Sequence, residues 1–230
     1  ENMVFAGAQI IPHCFNEENT IHINDGDQIN ANSIIATIKG NARSILSRER
    51  VMLNILQRIS GIATHTREYV NLATPFNVKI LDTRKTTPGM RIFEKYAVKC
   101  GGGYNHRFNL SNGVLIKDNH IQSAGSITAV LNKIDRKHWI ELEVDTIEQI
   151  HEGLDGNVNG FLLDNMSPNK IKNAVQLIKS HKNSDDIFIE ASGGINLSNI
   201  TPYLHTGIDG ISIGALTHQI NSRDIKLEFK

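Results

Sequence analysis

Along residues 1–40, apolar and β-branched positions come in short runs broken by polar turns. Val4–Phe5, Ile10–Phe15, Thr20–Ile23 and Ile34–Ile38 read as strands, separated by Asn16-Glu17-Glu18-Asn19 and by the turn signal Asp25-Gly26-Asp27. They are expected to form a small sheet. The period then lengthens. Leu46, Leu53, Leu56, Ile59 and Ala63 recur at helical spacing and predict one long helix over 43–73, weakened but not broken by Gly61. Arg48, Arg50 and Arg58 border that stripe and read as solvated arginines whose stems cover the edge of the core.

Beyond residue 74 short apolar runs alternate with amphipathic stretches. Strands are expected at Val78–Leu81, Val114–Ile116, Trp139–Val144, Gly160–Leu163, Ile187–Ile189 and Gly210–Ile213. Helices are expected at Met90–Lys99, Ile127–Ile134, Thr146–Glu152, Asn169–Ser180 and Leu197–Leu204. Near-continuous apolar strands suit a buried parallel sheet. Successive strand–helix units favour a parallel α/β barrel, one that need not be complete, over a doubly wound sheet.

Composition narrows the class without changing this picture. Of 230 residues, 40% are hydrophobic and 21% charged, which is ordinary for a globular protein. The formal net charge is zero, so general attraction to nucleic acid or an anionic membrane is not expected and any anion binding must be local. The two cysteines, Cys14 and Cys100, lack metal-ligand spacing and read as reduced thiols of a cytoplasmic protein, with a disulfide between them as the alternative. No apolar run is long enough for a transmembrane helix, and the first residues do not have the form of a signal peptide.

The chemistry gathers where strands give way to helices, as parallel barrels require. Asp82, Lys117, Asp118, Glu141, Glu143, Asp164 and Glu190 lie in or just after the expected strands. Buried carboxylates need partners, and Arg84, Lys85, His106, Arg107 and Lys117 place five potential cations within 34 positions. Such a group suits a ligand with several negative charges; a structural ring of ion pairs is the alternative. Glu141 and Glu143 share a strand face. With Asp164 they can hold a hydrated Mg²⁺, stabilise a cationic sugar-like transition state, or bind sugar hydroxyls. Thr87-Pro88 reads as a helix start, which would set Arg84 and Lys85 at a helix N-terminus. The run Gly101-Gly102-Gly103 points to a close backbone approach. Ser192, Gly193 and Gly194, followed one strand later by Gly214, resemble the phosphate-binding turns of barrels. Among ten histidines, His106 and His120 fall inside the charged clusters and His218 follows the last strand. No HExxH, CxxC, GxSxG or GxxxxGK[ST] pattern occurs.

Taken in order, Asp82-Thr-Arg-Lys-Thr-Thr-Pro-Gly89, Gly101-Gly-Gly-Tyr-Asn-His-Arg107, Leu115-Ile-Lys-Asp-Asn-His120, Glu141-Leu-Glu-Val144, Leu163-Asp-Asn165, Glu190-Ala-Ser-Gly-Gly-Ile195 and Ser212-Ile-Gly-Ala-Leu-Thr-His218 resemble the quinolinate phosphoribosyltransferase family. Ala42–Arg50 and Gln57–Ala63 resemble it too, so the likeness runs from about residue 1 to 230. It implies a small α/β sandwich domain followed by an open, incomplete parallel α/β barrel. The small domain and connecting helix would occupy 1–73, the barrel 74–218, and a tail over 219–230 would return to the small domain. The family's leading helical segment is not seen here.

The activity implied is transfer of a phosphoribosyl group from 5-phosphoribosyl 1-pyrophosphate to quinolinate with decarboxylation, in NAD biosynthesis, with Mg²⁺. Arg84, His106, Arg107 and Lys117 would bind the dicarboxylate, and Thr83 is a further substrate-binding residue. Lys85 would serve the dicarboxylate or the diphosphate. Arg50 would reach the site of a neighbouring subunit in a homodimer or larger homo-oligomer, which replaces its reading as a solvated arginine. Ser192, Gly193, Gly194 and Gly214 would cradle the 5-phosphate. Glu143 and Asp164 would hold ribose hydroxyls and Mg²⁺, the latter either directly or through water. Lys85, Lys117, Glu143 and Asp164 form the implied catalytic group. A nicotinate-type phosphoribosyltransferase, needing fewer cations, and a non-catalytic phosphate-binding barrel are the alternatives.

Overall fold

A computed structural model describes residues 1–182, 184 and 186–229. Lys230, the last residue of the expected tail, lies outside them. The chain begins with β1 (Met3–Val4), α1 (Ile11–Cys14), β2 (Glu18–Ile21), β3 (Gln28–Ile29), β4 (Ala36–Lys39) and α2 (Ala42–Ala73). There follow β5 (Lys79–Leu81), α3 (Arg91–Cys100), β6 (Val114–Ile116), α4 (Asp118–Ala124), α5 (Ile127–Leu131), β7 (Ile140–Val144) and α6 (Ile147–Asp155). The last are β8 (Gly160–Asp164), α7 (Pro168–Lys179), β9 (Phe188–Ser192), α8 (Thr201–Leu204), β10 (Gly210–Ser212) and α9 (Ala215–His218). Two compact units result. One comprises 1–71, 85–105 and 214–230; the other comprises 72–84 and 106–213.

In the first unit the expected small sheet is two separate antiparallel ladders, β1 with β3 and β2 with β4. Ile10–Phe15, expected as a strand, contains α1 instead. Pro12 removes a ladder donor but is tolerated in a first helical turn. Helix α2 extends 32 residues and buries Ile45, Leu53, Leu56, Ile59, Ile62 and Ala63. Leu46, assigned to its apolar stripe from the spacing, is 51% exposed, and its neighbour Ile45 takes the inward position. Helix α3 begins at Arg91, so Thr87-Pro88 opens a turn that precedes it, with Met90 N–H donating to the Thr87 carbonyl at 3.0 Å. Arg84 and Lys85 therefore do not sit at a helix N-terminus. The triple glycine ends α3. A Cβ on Gly101 would lie 2.6 Å from the Ala63 carbonyl oxygen and from Thr66 Cβ, so the close approach is to α2.

In the second unit all six strands are parallel, in the order β5-β10-β9-β8-β7-β6. The first strand pairs with the last, while β5 and β6 remain edges. The sheet thus follows the circuit of a barrel and stays open at one seam, as expected. Phe161, Leu163, Ala191 and Ile211 are fully buried in it. The expected helix Leu197–Leu204 shortens to Thr201–Leu204, because Asn196 and Asn199 side chains bond nearby backbone N–H groups and hold a turn. The sequence reading missed β3, α4 and α9, each too short for its period to register.

Both cysteines are free. Burial, reinforced by the Asp25 charge, raises the Cys100 thiol to about 12 and leaves it unreactive at neutral pH. Among the described residues no helix is long and apolar enough to cross a membrane.

Gly61 tests the packing of the first unit. A Cβ there would lie 2.3 Å from the Asn221 carbonyl oxygen, in the segment that also receives a Gln57 side-chain bond at the Ile225 carbonyl. Overpacking costs about 1–3 kcal/mol, against a helix-propensity gain of about 1 kcal/mol for Gly→Ala. Gly61→Ala should lower the melting temperature in a thermal scan. A rise would show that 221–225 does not lie against α2.

Candidate active site

The polar groups of the second unit meet at the C-terminal ends of the parallel strands. Strand β5 delivers Asp82, which is fully buried and accepts the His106 backbone N–H at 2.9 Å. That bond ties the His106-Arg107 segment to the end of β5. The His106 ring is then fixed from both sides. Its Nδ1 lies 2.8 Å from the Arg107 backbone N, a contact that turns Nε2 inward. Nε2 lies 3.1 Å from Glu141 Oε2 and 3.3 Å from Glu190 Oε2.

Both glutamates are completely buried, Glu141 on β7 and Glu190 on β9. Their four carboxylate oxygens have no hydrogen-bond partner of good geometry among the described residues, so charge and proximity must satisfy them. Burial alone would lower the affinity of His106 for protons. The contacts with Glu141 and Glu190 and their charges outweigh it and raise the pKa to about 10. Burial raises Glu141 above the usual carboxylate range; the His106 contact opposes that shift and the Glu190 charge adds to it.

Glu143 is two residues further along β7, about 6.6 Å nearer the mouth at the usual strand rise. It is half-buried and paired with the Lys117 ammonium. Lys117 sits at the N-cap of α4, where its backbone N–H donates to His120 Nδ1 at 3.0 Å. His120 thereby caps a helix. Arg107 lies among Arg84, Glu141, Glu143 and Glu190. Burial and the Arg84 charge lower its pKa, and the three carboxylates oppose them. Arg84 is exposed after β5, beside half-buried Thr83.

Asp164 ends β8 in register with Ser192 at the end of β9. Its Oδ2 accepts from the Asn165 side-chain amide at 2.6 Å, and the Asn165 backbone N–H donates to the Ser192 carbonyl at 3.0 Å. Gly193 has φ +96°, and a Cβ on it would collide with the Asn165 side chain at 2.2 Å. This glycine is required by Asn165, whose role the sequence reading did not single out. Gly194 has φ +63° with open space where a Cβ would point. A cavity of about 150 Å³ lined by Leu154, Val158, Asn159 and His181 lies at the opposite, N-terminal ends of β8 and β9, remote from these groups.

Three of the residues that family likeness assigns to the site belong to the first unit. Lys85 and Gly214 are neighbours there: a Cβ on Gly214 would lie 3.2 Å from Lys85 Cδ and 3.0 Å from His218 Nε2. Arg50 is exposed on α2, with Glu49 at 3.9 Å. Arg58, expected to be solvated, is instead drawn inward by Glu94, which is fully buried on α3. Nothing in the sequence marked Glu94, whose helix reads as an ordinary amphipathic segment.

The family model described as the quinolinate phosphoribosyl transferase N-terminal domain matches residues 1–60, and that of the C-terminal domain matches 62–228. This chain belongs to the quinolinate phosphoribosyltransferase family. A Bacillus subtilis relative named probable nicotinate-nucleotide pyrophosphorylase [carboxylating] is 43% identical over 98% of this chain and 79% of its own length. A Synechocystis relative of the same name is 40% identical over 94% of this chain and 75% of its own length. The crystal structure of nicotinate-nucleotide pyrophosphorylase from Ehrlichia chaffeensis superposes with a TM-score of 0.90 at 42% identity, covering 97% of this chain and 83% of that one.

His106 tests the burial of charge in this family member. His106→Ala would leave Glu141 and Glu190 buried without the group between them, a loss of roughly 3–5 kcal/mol. The midpoint of urea unfolding should fall, and Glu190→Gln in the same chain should recover part of the loss. An unchanged midpoint would show that the three side chains do not hold one another.

Proposed function

We propose that this chain transfers the phosphoribosyl group of 5-phosphoribosyl 1-pyrophosphate to quinolinate, giving nicotinate mononucleotide, pyrophosphate and CO₂ in NAD biosynthesis. One observation carries the reading. Arg84, Arg107 and Lys117 are held at the carboxylate-lined ends of one parallel sheet, where two of these cations exceed what a single acid group needs. Quinolinate brings two carboxylates. Among the described residues the Lys117 ammonium pairs with Glu143, and it is half-exposed, so an incoming carboxylate can compete for it.

In this reading Arg84, His106, Arg107 and Lys117, with Thr83, face the dicarboxylate. His106 acts chiefly by fixing Arg107, because both its ring nitrogens are already engaged. Ser192, Gly193 and Gly194 receive the donor's 5-phosphate, with Gly214 assigned to the same group by family likeness. Glu143 and Asp164 receive ribose hydroxyls and Mg²⁺. Both are hard oxygen donors and half-buried, which fits an ion that keeps water and takes one or two carboxylates. Since Lys117 already occupies one Glu143 oxygen, the ion would be held through water there. When bound, Mg²⁺ supplies charge neutralisation to the departing diphosphate.

The pyridine nitrogen attacks C1′ of the ribose as the C1′–diphosphate bond breaks. Glu143 and Asp164 stabilise the positive charge that develops on the sugar. The nitrogen is now cationic. It stabilises the electron pair left on C2 when the adjacent carboxylate departs as CO₂, and C2 then takes a proton. The protein's part is orientation and charge placement.

Two further elements belong to the proposal. Arg50, with its side chain 72% exposed, would serve the site of a second copy in a homodimer or larger assembly. Exposed Leu46 and Val51 beside it favour such a covered face. A cytoplasmic location accords with the two free thiols.

Mass detection of nicotinate mononucleotide, with labelled CO₂ from carboxyl-labelled quinolinate, tests the reaction. Product from nicotinate alone, without CO₂, would overturn it. Lys117→Ala should reduce kcat/KM by roughly 10²–10³-fold with little change in melting temperature. Undiminished turnover would remove Lys117 from the site. Mixing Arg50→Ala with Lys117→Ala should restore about one quarter of full activity, because half the dimers are mixed and each has one intact site. No recovery would argue against a shared site.

A further inference from the structure

The segment 82–90 between β5 and α3 has no helix or strand, yet its Lys85–Met90 part is fastened to the first unit at several points. Arg58 on α2 donates to Glu94 Oε1 from Nε at 3.0 Å and from Nη2 at 2.7 Å. The same Nη2 donates to Thr87 Oγ1 at 2.8 Å and to the Thr217 carbonyl at 3.2 Å. Glu94 Oε2 accepts the Thr87 backbone N–H at 3.1 Å. Thr217, fully buried, closes the ring: its Oγ1 lies 2.7 Å from the Lys85 carbonyl, to which it donates, and 3.1 Å from the Gly214 carbonyl. One guanidinium thus ties together the helix α2, the Lys85–Thr87 segment and the Gly214–Thr217 turn.

A buried carboxylate is costly unless paired, so Glu94 and Arg58 must be kept or lost together. The arginine fork meets several acceptors in a pre-set plane, which a lysine ammonium cannot reproduce. We propose that Arg58 and Glu94, acting through Thr87 and Thr217, are positioning residues that hold Lys85 and Gly214 in one fixed arrangement for the anionic groups of the phosphoribosyl donor. The inference rests on the reading above for Gly214, and of the two groups that family likeness offers Lys85, the dicarboxylate and the diphosphate, it takes the diphosphate. The two are adjacent, with the Lys85 stem against the Gly214 turn, so an error in the backbone of either shifts both.

Five variants are compared with the unaltered protein by steady-state kinetics and thermal unfolding. Arg58→Lys keeps the charge opposite Glu94 and loses the fork. Thr217→Val leaves the ion pair intact and removes the bond to Lys85. Each should raise KM for the phosphoribosyl donor roughly 5–10-fold, leaving KM for quinolinate unchanged. Arg58→Gln combined with Glu94→Gln should be more stable than Arg58→Gln alone without recovering the donor KM. A merely structural role would restore both together and would overturn the proposal. Lys85→Ala is the reference. If it raises the donor KM while Arg58→Lys and Thr217→Val do not, the positioning role is refuted and the reading of Lys85 stands. If Lys85→Ala leaves the donor KM unchanged, the reading of Lys85 fails and takes this inference with it.

Discussion

Charge buried at the ends of parallel strands is the constraint on which the second unit depends. Glu141 and Glu190 are placed by β7 and β9 where water does not reach. Two such groups cannot both stay ionised without a partner, and the His106 ring between them is what the fold supplies. Fixing that ring fixes more than itself. The His106 backbone N–H is bonded to Asp82 at the end of β5, and the Arg107 N–H to the ring. The edge strand, two interior strands and the cationic segment are therefore held by one connected set of contacts.

A division of labour follows from depth. The fully buried carboxylates Asp82, Glu141 and Glu190 are engaged by backbone or imidazole, whereas Glu143 and Asp164 stand half-exposed at the mouth. The inner group matches the structural ring weighed as an alternative to a ligand site, and the outer group can meet a ligand. The proposed function thus draws on the outer members of the set and leaves the inner ones a structural part. The difference arises from strand geometry, since two residues along β7 move a side chain from the interior to the rim without changing its face.

Much of this was legible in the sequence because long-range order here reduces to local pattern. Six strands were placed to within a few residues, since parallel strands buried on both faces are compact apolar runs. The polar residues that follow them marked the end of the sheet where the buried carboxylates and their cationic partners gather. What stayed hidden depended on contacts between distant segments. Arg58 looked like many surface arginines; its inward turn depends on Glu94, 36 positions away on another helix. Gly193 read as a phosphate-binding glycine, but the group that forbids a side chain there is Asn165 of the preceding strand–helix turn. Ile10–Phe15 failed for a local reason: β-branched residues outweighed Pro12, which permits a helix start and disfavours a strand.

The two ion-paired centres place opposite demands on the chain. At Glu141–His106–Glu190 the carboxylates outnumber the imidazole, so the cluster favours nearby cations such as Arg107 and helps to keep that guanidinium charged where burial works against it. At Arg58–Glu94 one cation meets one carboxylate, and the guanidinium's remaining capacity goes to neutral oxygens of Thr87 and Thr217. The first arrangement sets charge; the second sets backbone position. Chemistry that relies on electrostatic placement needs both, because a charge stabilises a transition state only where its distance from the reacting atoms is held fixed. Loss of the Arg58 fork would remove no charge from the strand ends; what it would release is the backbone at Thr87 and Thr217, which no ion pair of the second unit holds.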